Sequence, residues 1–154
     1  MKSTLVFLVL FAVPFLSHSA QALHGAPSSI CRSLGGTPET GRSPVDIEPL
    51  CTIGGGTLEY WTLFKVVKEG QTTRATDAFL KHRSVRAVAA LPVDDQPDAY
   101  CRALGGTPTL WKDEADIEFG MCEFADQSAI SAHTLLVGPR TYHQLTCILR
   151  GACH

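Results

Sequence analysis

The sequence of 154 residues is poor in charge. Asp, Glu, Lys and Arg together make up 18% of it, and the formal net charge is −2. Because nucleic-acid-binding domains usually carry a strongly basic patch, this near-neutral charge predicts no nucleic-acid partner. Aromatic residues reach only 8%, but 45% of the residues are apolar, a fraction that excludes a disordered chain. The length predicts one compact domain or two very small ones.

Long apolar runs are absent after residue 22, where none approaches the roughly 18 residues of a membrane span. The first 22 residues have a basic start at Lys2, an apolar core over Leu5–Leu16 and the small-residue pattern Ala20–Ala22. This order of features is typical of a signal peptide, although an N-terminal helix or a membrane anchor is the alternative. We therefore predict a signal peptide over residues 1–22 and an exported, periplasmic or secreted, mature chain.

Common metal and phosphate motifs are missing as well. The sequence contains no C-x-x-C and no H-x-x-x-H, although Cys147, Cys153 and His154 lie close together. In an oxidising compartment such cysteines form disulfides more readily than metal sites. The run Gly54–Gly56 lacks the Lys-Ser or Lys-Thr of a phosphate-binding loop and suits a tight turn. We therefore predict no metal and no cofactor.

The sequence contains an internal duplication. Pro27–Pro38 and Pro97–Pro108 are identical at eight of twelve positions at an offset of 70. The match continues where Asp46-Ile47-Glu48 aligns with Asp116-Ile117-Glu118, and later where Trp61-Thr62-Leu63 aligns with His133-Thr134-Leu135. We predict a first repeat unit over residues 23–69, a helical linker over 70–95, a second unit over 96–138 and a tail over 139–154.

Each unit has the pattern of a helix followed by a β-hairpin. A proline (Pro27 or Pro97) suits the first helical turn, and a Gly-Gly pair ends the helix. Two alternating segments follow, and the last element, Leu58–Val67 or Ser128–Val137, fits a helix or a strand. In the linker, Thr76 is predicted to cap a helix that runs to about Ala90. The fold class is therefore predicted as α+β, with two small disulfide-stapled helix–hairpin–helix/strand units in tandem, joined by the helical linker.

Six cysteines in an exported chain favour disulfides. Because equivalent residues of two repeats are expected to pair alike, the repeat predicts Cys31–Cys51 and Cys101–Cys122, which leaves Cys147–Cys153. Each of the first two bridges would tie a helix to a strand of its own unit. The expected stabilisation from loop entropy is about 3 kcal/mol per bridge.

The second unit resembles a family of small exported bacterial domains of unknown function that carry a haemolysin label. The resemblance rests on a set of matching positions in this unit. These are Pro97, Tyr100, Cys101, Gly105, Gly106, Gly120, Cys122, Phe124, Asp126 and Ser128. The resemblance implies two degenerate copies of a small α+β unit in a Gram-negative periplasmic or secreted protein, and no established activity. The apolar segments of the mature chain are too short for a pore former.

The catalytic residues of a hydrolase are not complete, so we predict that the protein is not an enzyme. No G-x-S-x-G occurs; the alternative hydrolase would use Ser128 and His133 with Asp126 nearby. The acidic run that contains Asp113, Glu114, Asp116 and Glu118 suits a solvated turn better than a calcium site or a carboxylate pair.

Four aromatic residues are the candidate anchors for a protein partner: Tyr60, Trp61, Phe64 and Trp111. The alternative is that they form the core. The leading interpretation is a non-enzymatic exported protein that binds a periplasmic or secreted protein, as an inhibitor or immunity protein does. A second is an envelope structural or stress protein without a tight partner.

Overall fold

A computed structural model describes residues 25–153; the predicted signal peptide and His154 lie outside this range. The helices are α1 Gly25–Ser33, α2 Tyr60–Val67, α3 Arg74–Leu80, α4 Arg86–Ala89, α5 Gln96–Ala103, α6 Ala132–Val137 and α7 His143–Leu149. The strands are β1 Thr37–Arg42, β2 Ile47–Ile53, β3 Gly56–Glu59, β4 Thr107–Lys112, β5 Glu118–Glu123 and β6 Ala129–Ser131.

The six strands form one closed antiparallel barrel in the order β1-β2-β3-β6-β5-β4. Two hairpins, β1–β2 and β4–β5, are paired along their whole length. The hairpins are joined by much shorter contacts, because β1 meets β4 through the pair Arg42 and Lys112, and β3 meets β6 through Leu58 and Ile130. Every strand of the barrel therefore has two neighbours, but two of its six seams are narrow.

The predicted fold class of two tandem units is wrong. Strands from both halves of the chain close the same barrel, and the β3–β6 seam is tied by two reciprocal hydrogen bonds. Thr57 N–H donates to Thr134 Oγ1 at 3.0 Å, and Ala129 N–H donates to Thr62 Oγ1 at 2.9 Å. A three-stranded sheet on its own would leave two open edges, and pairing across the halves removes them.

The last element of each predicted unit is neither a helix nor a strand alone. A short strand, β3 or β6, leads directly into a helix, α2 or α6. The helix caps fix the point where each strand changes into a helix. The Glu59 carboxylate accepts from the N–H groups of Trp61 and Thr62, and Ser131 Oγ accepts from Thr134 N–H. Strands of four and three residues are too short to show a clear alternation in the sequence.

The predicted linker helix is also wrong in its position. Residues 70–95 hold α3, α4 and a short 3-10 helix, Val93–Asp95, rather than one helix from Asp77 to Ala90. The cap of α3 is Thr73, and Thr76 is the third helical residue, whose hydroxyl completes a capping box. Phe79 and Ala75 are fully buried in the main core, so this segment is part of the fold.

Helices α3 and α7 pack across the halves of the chain. Helix α3 follows the first predicted unit but contacts β6 and α6, and α7 follows the second unit but contacts α2. At α3, Asp126 and Ser128 of the β5–β6 turn accept from the N–H groups of Arg74 and Ala75, at 2.7 and 3.0 Å. The two halves are therefore interlocked.

The three disulfides of the structure join the cysteines that the sequence paired. Cys31–Cys51 links α1 to β2, Cys101–Cys122 links α5 to β5, and Cys147–Cys153 links α7 to the tail. The four cysteines of the first two bridges are fully buried in the main core. Three disulfides fit an oxidising compartment.

The second hairpin is one residue longer than the first, and the strand register shows where the extra residue lies. Arg42 pairs with Ile47 in the first hairpin, and Lys112 pairs with Glu118 in the second, so Glu118 takes the place of Ile47. The sequence alignment of Ile47 with Ile117 is therefore displaced by one residue. The insertion lies in the β4–β5 turn, where Asp116 has a left-handed φ of 60°.

Candidate functional site

The barrel interior is a small core of its own. Leu50 and Cys51 face opposite sides of β2, and Cys51 is tied to α1, so Leu50 points into the barrel. It packs with Trp111, Met121 and Ala129 in a cluster that is separate from the main core beneath the helices. Gly41 leaves room for the indole, since a Cβ atom there would lie 2.7 Å from Trp111 Cε3.

Three buried or half-buried glutamates share this interior with the apolar cluster. Glu59 lies opposite Leu50 in the register, and Glu48 and Glu123 are each two residues from an interior apolar side chain. Glu123 Oε1 accepts from Thr109 Oγ1 at 2.6 Å and from Trp111 Nε1 at 3.0 Å. These bonds hold one of the three carboxylates in place.

The pKa of Glu59 is raised from 4.5 to about 6, chiefly because the carboxyl group is buried; hydrogen bonds from Trp61 and Thr62 oppose this rise, and the nearby Glu48 adds to it. Burial also raises the pKa of Glu48, with smaller contributions from Asp46 and Glu123. The interior therefore holds carboxylates that gain protons at a higher pH than usual.

We expect the free energy of unfolding to fall as the pH rises through about 6. Because the pKa of Glu59 is higher in the folded state than its ordinary 4.5, its contribution is complete below pH 4.5 and is lost above 6. A pKa of about 6 in the folded state instead of 4.5 corresponds to about 2 kcal/mol. Glu59→Gln, which keeps a cap acceptor, should flatten this slope in urea unfolding measured from pH 4 to 8.

The matched control for the pH experiment is Glu69→Gln, an exposed position outside the barrel. This variant should keep the slope of the parent protein. A Glu59→Gln profile that runs parallel to the parent profile across the whole pH range would show that Glu59 does not titrate differently in the folded and unfolded states.

A pocket of about 290 Å³ opens into the barrel, and we call it the barrel-mouth pocket. Its apolar surface comes from Leu50, Phe119 and Ile117, and hydroxyl groups are contributed by Thr57 and Ser131. Pockets for small molecules usually measure about 300–1,000 Å³, so this one is at the lower limit. Its size suits a single side chain or a small molecule.

The rim of the barrel-mouth pocket is polar. Glu39, Asp113 and His133 lie around it. Asp113 Oδ1 accepts from the N–H groups of Ala115 and Ile117 at 2.8 and 2.9 Å and so fixes the β4–β5 turn. In the described part of the chain, the carboxylate of Glu39 takes part in no hydrogen bond and no ion pair.

The residues of the alternative hydrolase have other partners. Ser128 is buried; its hydroxyl donates to Asp126 Oδ1 at 2.6 Å and accepts from Ala75 N–H. His133 is exposed, and its Nδ1 lies 3.3 Å from the Tyr142 hydroxyl. Hydrogen bonds to Ser128 and to Arg74 N–H lower the pKa of Asp126 against the effect of burial. These contacts connect the β5–β6 turn to α3 rather than Ser128 to His133.

The acidic run of the β4–β5 turn is occupied by local contacts. Asp116 forms an ion pair with Arg42 at 2.9 Å, and Glu118 lies 3.5 Å from Lys112. No group of three potential metal ligands occurs in residues 25–153. Within the same range, no helix is long and apolar enough to cross a membrane.

The four aromatic candidates for partner binding separate into two groups. Tyr60 and Trp111 are 2% and 3% exposed and belong to the core. Trp61 is 44% exposed, and Phe64 is partly buried with its ring centroid 5.7 Å from that of Trp61. Of the four, only Trp61 and Phe64 present surface to a partner in this structure.

Another group of exposed apolar side chains lies at the ends of the two hairpins, and we call it the hairpin-end patch. It consists of Val45, Ile47, Leu110 and Ile117, which are 92%, 58%, 56% and 63% exposed. The two hairpins that carry the patch meet at the β1–β4 seam, where Arg42 pairs with Ile47 on one side and with Lys112 on the other. Ile117 also borders the barrel-mouth pocket.

Comparison with protein-family models, with curated proteins and with solved structures finds no match for this chain. The site residues are therefore interpreted from their chemistry alone.

Sequence reasoning missed both the hairpin-end patch and the barrel-mouth pocket. The signal for the pocket was the alternation along the strands, which places Glu39 with Gly41 and Phe119 with Met121 on one face of each hairpin. Ser131 carried no such signal, because β6 has only three residues. Without the closed barrel, those faces could not be assigned to a common interior.

Proposed function

We propose that this protein is an exported, periplasmic or secreted, non-enzymatic module that binds another protein, as an inhibitor or immunity protein does. The hairpin-end patch is the proposed contact surface. The observation that carries the proposal is the exposure of four large apolar side chains on two joined hairpins. Exposed apolar groups that are scattered singly need no explanation, but a group rimmed by polar residues is typical of an interaction site.

The charged residues next to the patch support this use. Arg42 with Asp116 and Lys112 with Glu118 form ion pairs along the seam. Apolar side chains surrounded by charged ones are typical of protein interfaces, whose rim stays solvated while the centre loses water. Trp61 and Phe64 remain secondary anchors in the proposal.

The rigid support of the patch favours binding without a large change of shape. The strands that carry Ile47 and Leu110 are fully paired within their hairpins, and each hairpin is linked to a helix by a buried disulfide. Preorganised surfaces lose little conformational entropy on association. A small disulfide-linked protein is also suited to an oxidising compartment, where we propose that the partner is found.

The test is capture of a partner by the tagged mature chain from periplasmic extract of the source organism. We expect one stoichiometric partner and at least about a tenfold loss of affinity for Val45→Asp combined with Ile117→Asp. Both positions lie in turns and are more than half exposed, so a carboxylate there is tolerated by the fold.

The matched control is Leu91→Asp combined with Val93→Asp, which adds the same charge at two other exposed apolar positions. This double variant should bind the partner like the parent protein. Absence of any stoichiometric partner would favour the envelope structural or stress role, and equal binding by both double variants would exclude the hairpin-end patch as the contact surface.

A further inference from the structure

The barrel-mouth pocket has the chemistry of a site for one long, cationic side chain. Leu50 and Phe119 form an apolar floor that leads into the barrel, and the volume is about 290 Å³. An aliphatic stem would lie against this floor, as the stems of arginine and lysine commonly lie on apolar surface. Phe119 also offers an aromatic ring to a cation.

Hydroxyl groups above the floor are fixed by the barrel. Thr57 Oγ1 lies 2.7 Å from Thr52 Oγ1, and Thr134 Oγ1 accepts from Thr57 N–H. Ser131 Oγ accepts from Thr134 N–H at 3.4 Å. Because hydroxyl oxygens have a second lone pair, they remain able to accept from a guanidinium group.

Two carboxylates stand at the entrance. Asp113 is held by its turn, and Glu39 carries a charge that no cation of the described residues neutralises. The other acids of the same hairpin turns, Asp46, Glu114 and Asp116, are exposed, and Asp116 pairs with Arg42. The two cations at the seam, Arg42 and Lys112, are already in ion pairs. A positively charged partner group is therefore favoured at this entrance.

We propose that the barrel-mouth pocket receives an arginine side chain from a partner protein with a basic surface. The inference rests on the proposed function, because the same partner would cover the adjoining hairpin-end patch through Ile117. Arginine fits better than lysine, since its planar fork of five donors matches several acceptors spread around the pocket.

The probe is the tripeptide Gly-Arg-Gly, compared with Gly-citrulline-Gly, whose side chain has the same shape without the charge. In a nuclear magnetic resonance titration of the ¹⁵N-labelled mature protein, the arginine peptide should shift the amide signals of Thr57, Phe119 and Ser131 saturably. Binding of the citrulline peptide should be at least about tenfold weaker, because charge-assisted hydrogen bonds are lost. Gly-Lys-Gly should lie between the two.

The variant test is Glu39→Gln combined with Asp113→Asn, which removes two charges and keeps the turn acceptor of Asp113. It should weaken arginine-peptide binding at least about tenfold. The matched control, Asp94→Asn combined with Asp95→Asn, removes the same charge from an exposed segment and should bind like the parent protein. Equal binding of the arginine and citrulline peptides, no saturable shift at millimolar peptide, or equal effects of the two double variants would overturn the proposal.

The two proposals fail in different ways. If a partner is captured and the variant Glu39→Gln with Asp113→Asn captures it equally well, the protein-binding function stands and the arginine site is wrong. If the peptide binds in the pocket but no protein is captured, the site stands and the proposed function is wrong.

Discussion

Replacing Phe79 by alanine is expected to lower the free energy of unfolding by about 3–5 kcal/mol. The ring is fully buried in the main core, on a helix whose N-terminus is held by Asp126 and Ser128 from the other half of the chain. Removing it leaves a cavity between α3 and the helix α6 that it contacts. Such a cavity costs the lost transfer free energy and the lost packing contacts.

The same variant distinguishes one interlocked fold from two tandem units. In the structure, α3 stabilises the second half although it follows the first, so urea unfolding should remain a single transition that is shifted to lower urea. Leu91→Ala, in the same segment but 40% exposed, is the matched control and should change the stability by less than about 1 kcal/mol. Two separate transitions, or a loss as small as that of the control, would contradict the interlocked arrangement.

Local features of this fold could be predicted from the sequence because they depend on near neighbours. The Gly-Gly pairs predicted where the first helix of each unit ends, and Gly35 and Gly105 have left-handed φ values of 74° and 81° there. The first two disulfides could be predicted from the repeat because each joins cysteines of one unit, which are only 20 or 21 positions apart.

The way the halves combine could not be predicted because it depends on contacts between distant residues. The β3–β6 seam rests on one residue pair, Leu58 and Ile130, and on hydrogen bonds between residues 67 and 77 positions apart. No periodicity within a short strand indicates its neighbour. The sequence also shows Phe79 only as one member of a loose apolar stripe, and it carries no sign of which half covers the ring.

The candidate site was missed for a related reason. Its carboxylates, Glu39 and Asp113, lie on different hairpins and are 74 residues apart. They become neighbours of one pocket only when β1 and β4 meet at Arg42 and Lys112. Conversely, the aromatic residues chosen as anchors included two that are buried in the structure, Tyr60 and Trp111, because size and apolar character favour the core as much as an interface.

The second large effect is expected at Trp111, where alanine should cost about 3–5 kcal/mol. The indole is 3% exposed, fills the space beside Gly41, and donates from Nε1 to Glu123 Oε1 at 3.0 Å. Trp111→Phe keeps most of the ring volume and loses the N–H donor, so a smaller loss of about 1–3 kcal/mol is expected from the weakened support of the Glu123 carboxylate. Urea unfolding of both variants measures the two contributions.

Gly41 supplies the matched control that assigns these losses to packing inside the barrel. Because a Cβ atom at Gly41 would lie 2.7 Å from Trp111 Cε3 and 2.8 Å from Leu50 Cδ1, Gly41→Ala should cost about 1–3 kcal/mol in the parent protein. In the Trp111→Ala background the added methyl group meets only Leu50, so the cost should fall and the double-mutant cycle should show coupling. Additive losses would mean that the indole does not occupy this space.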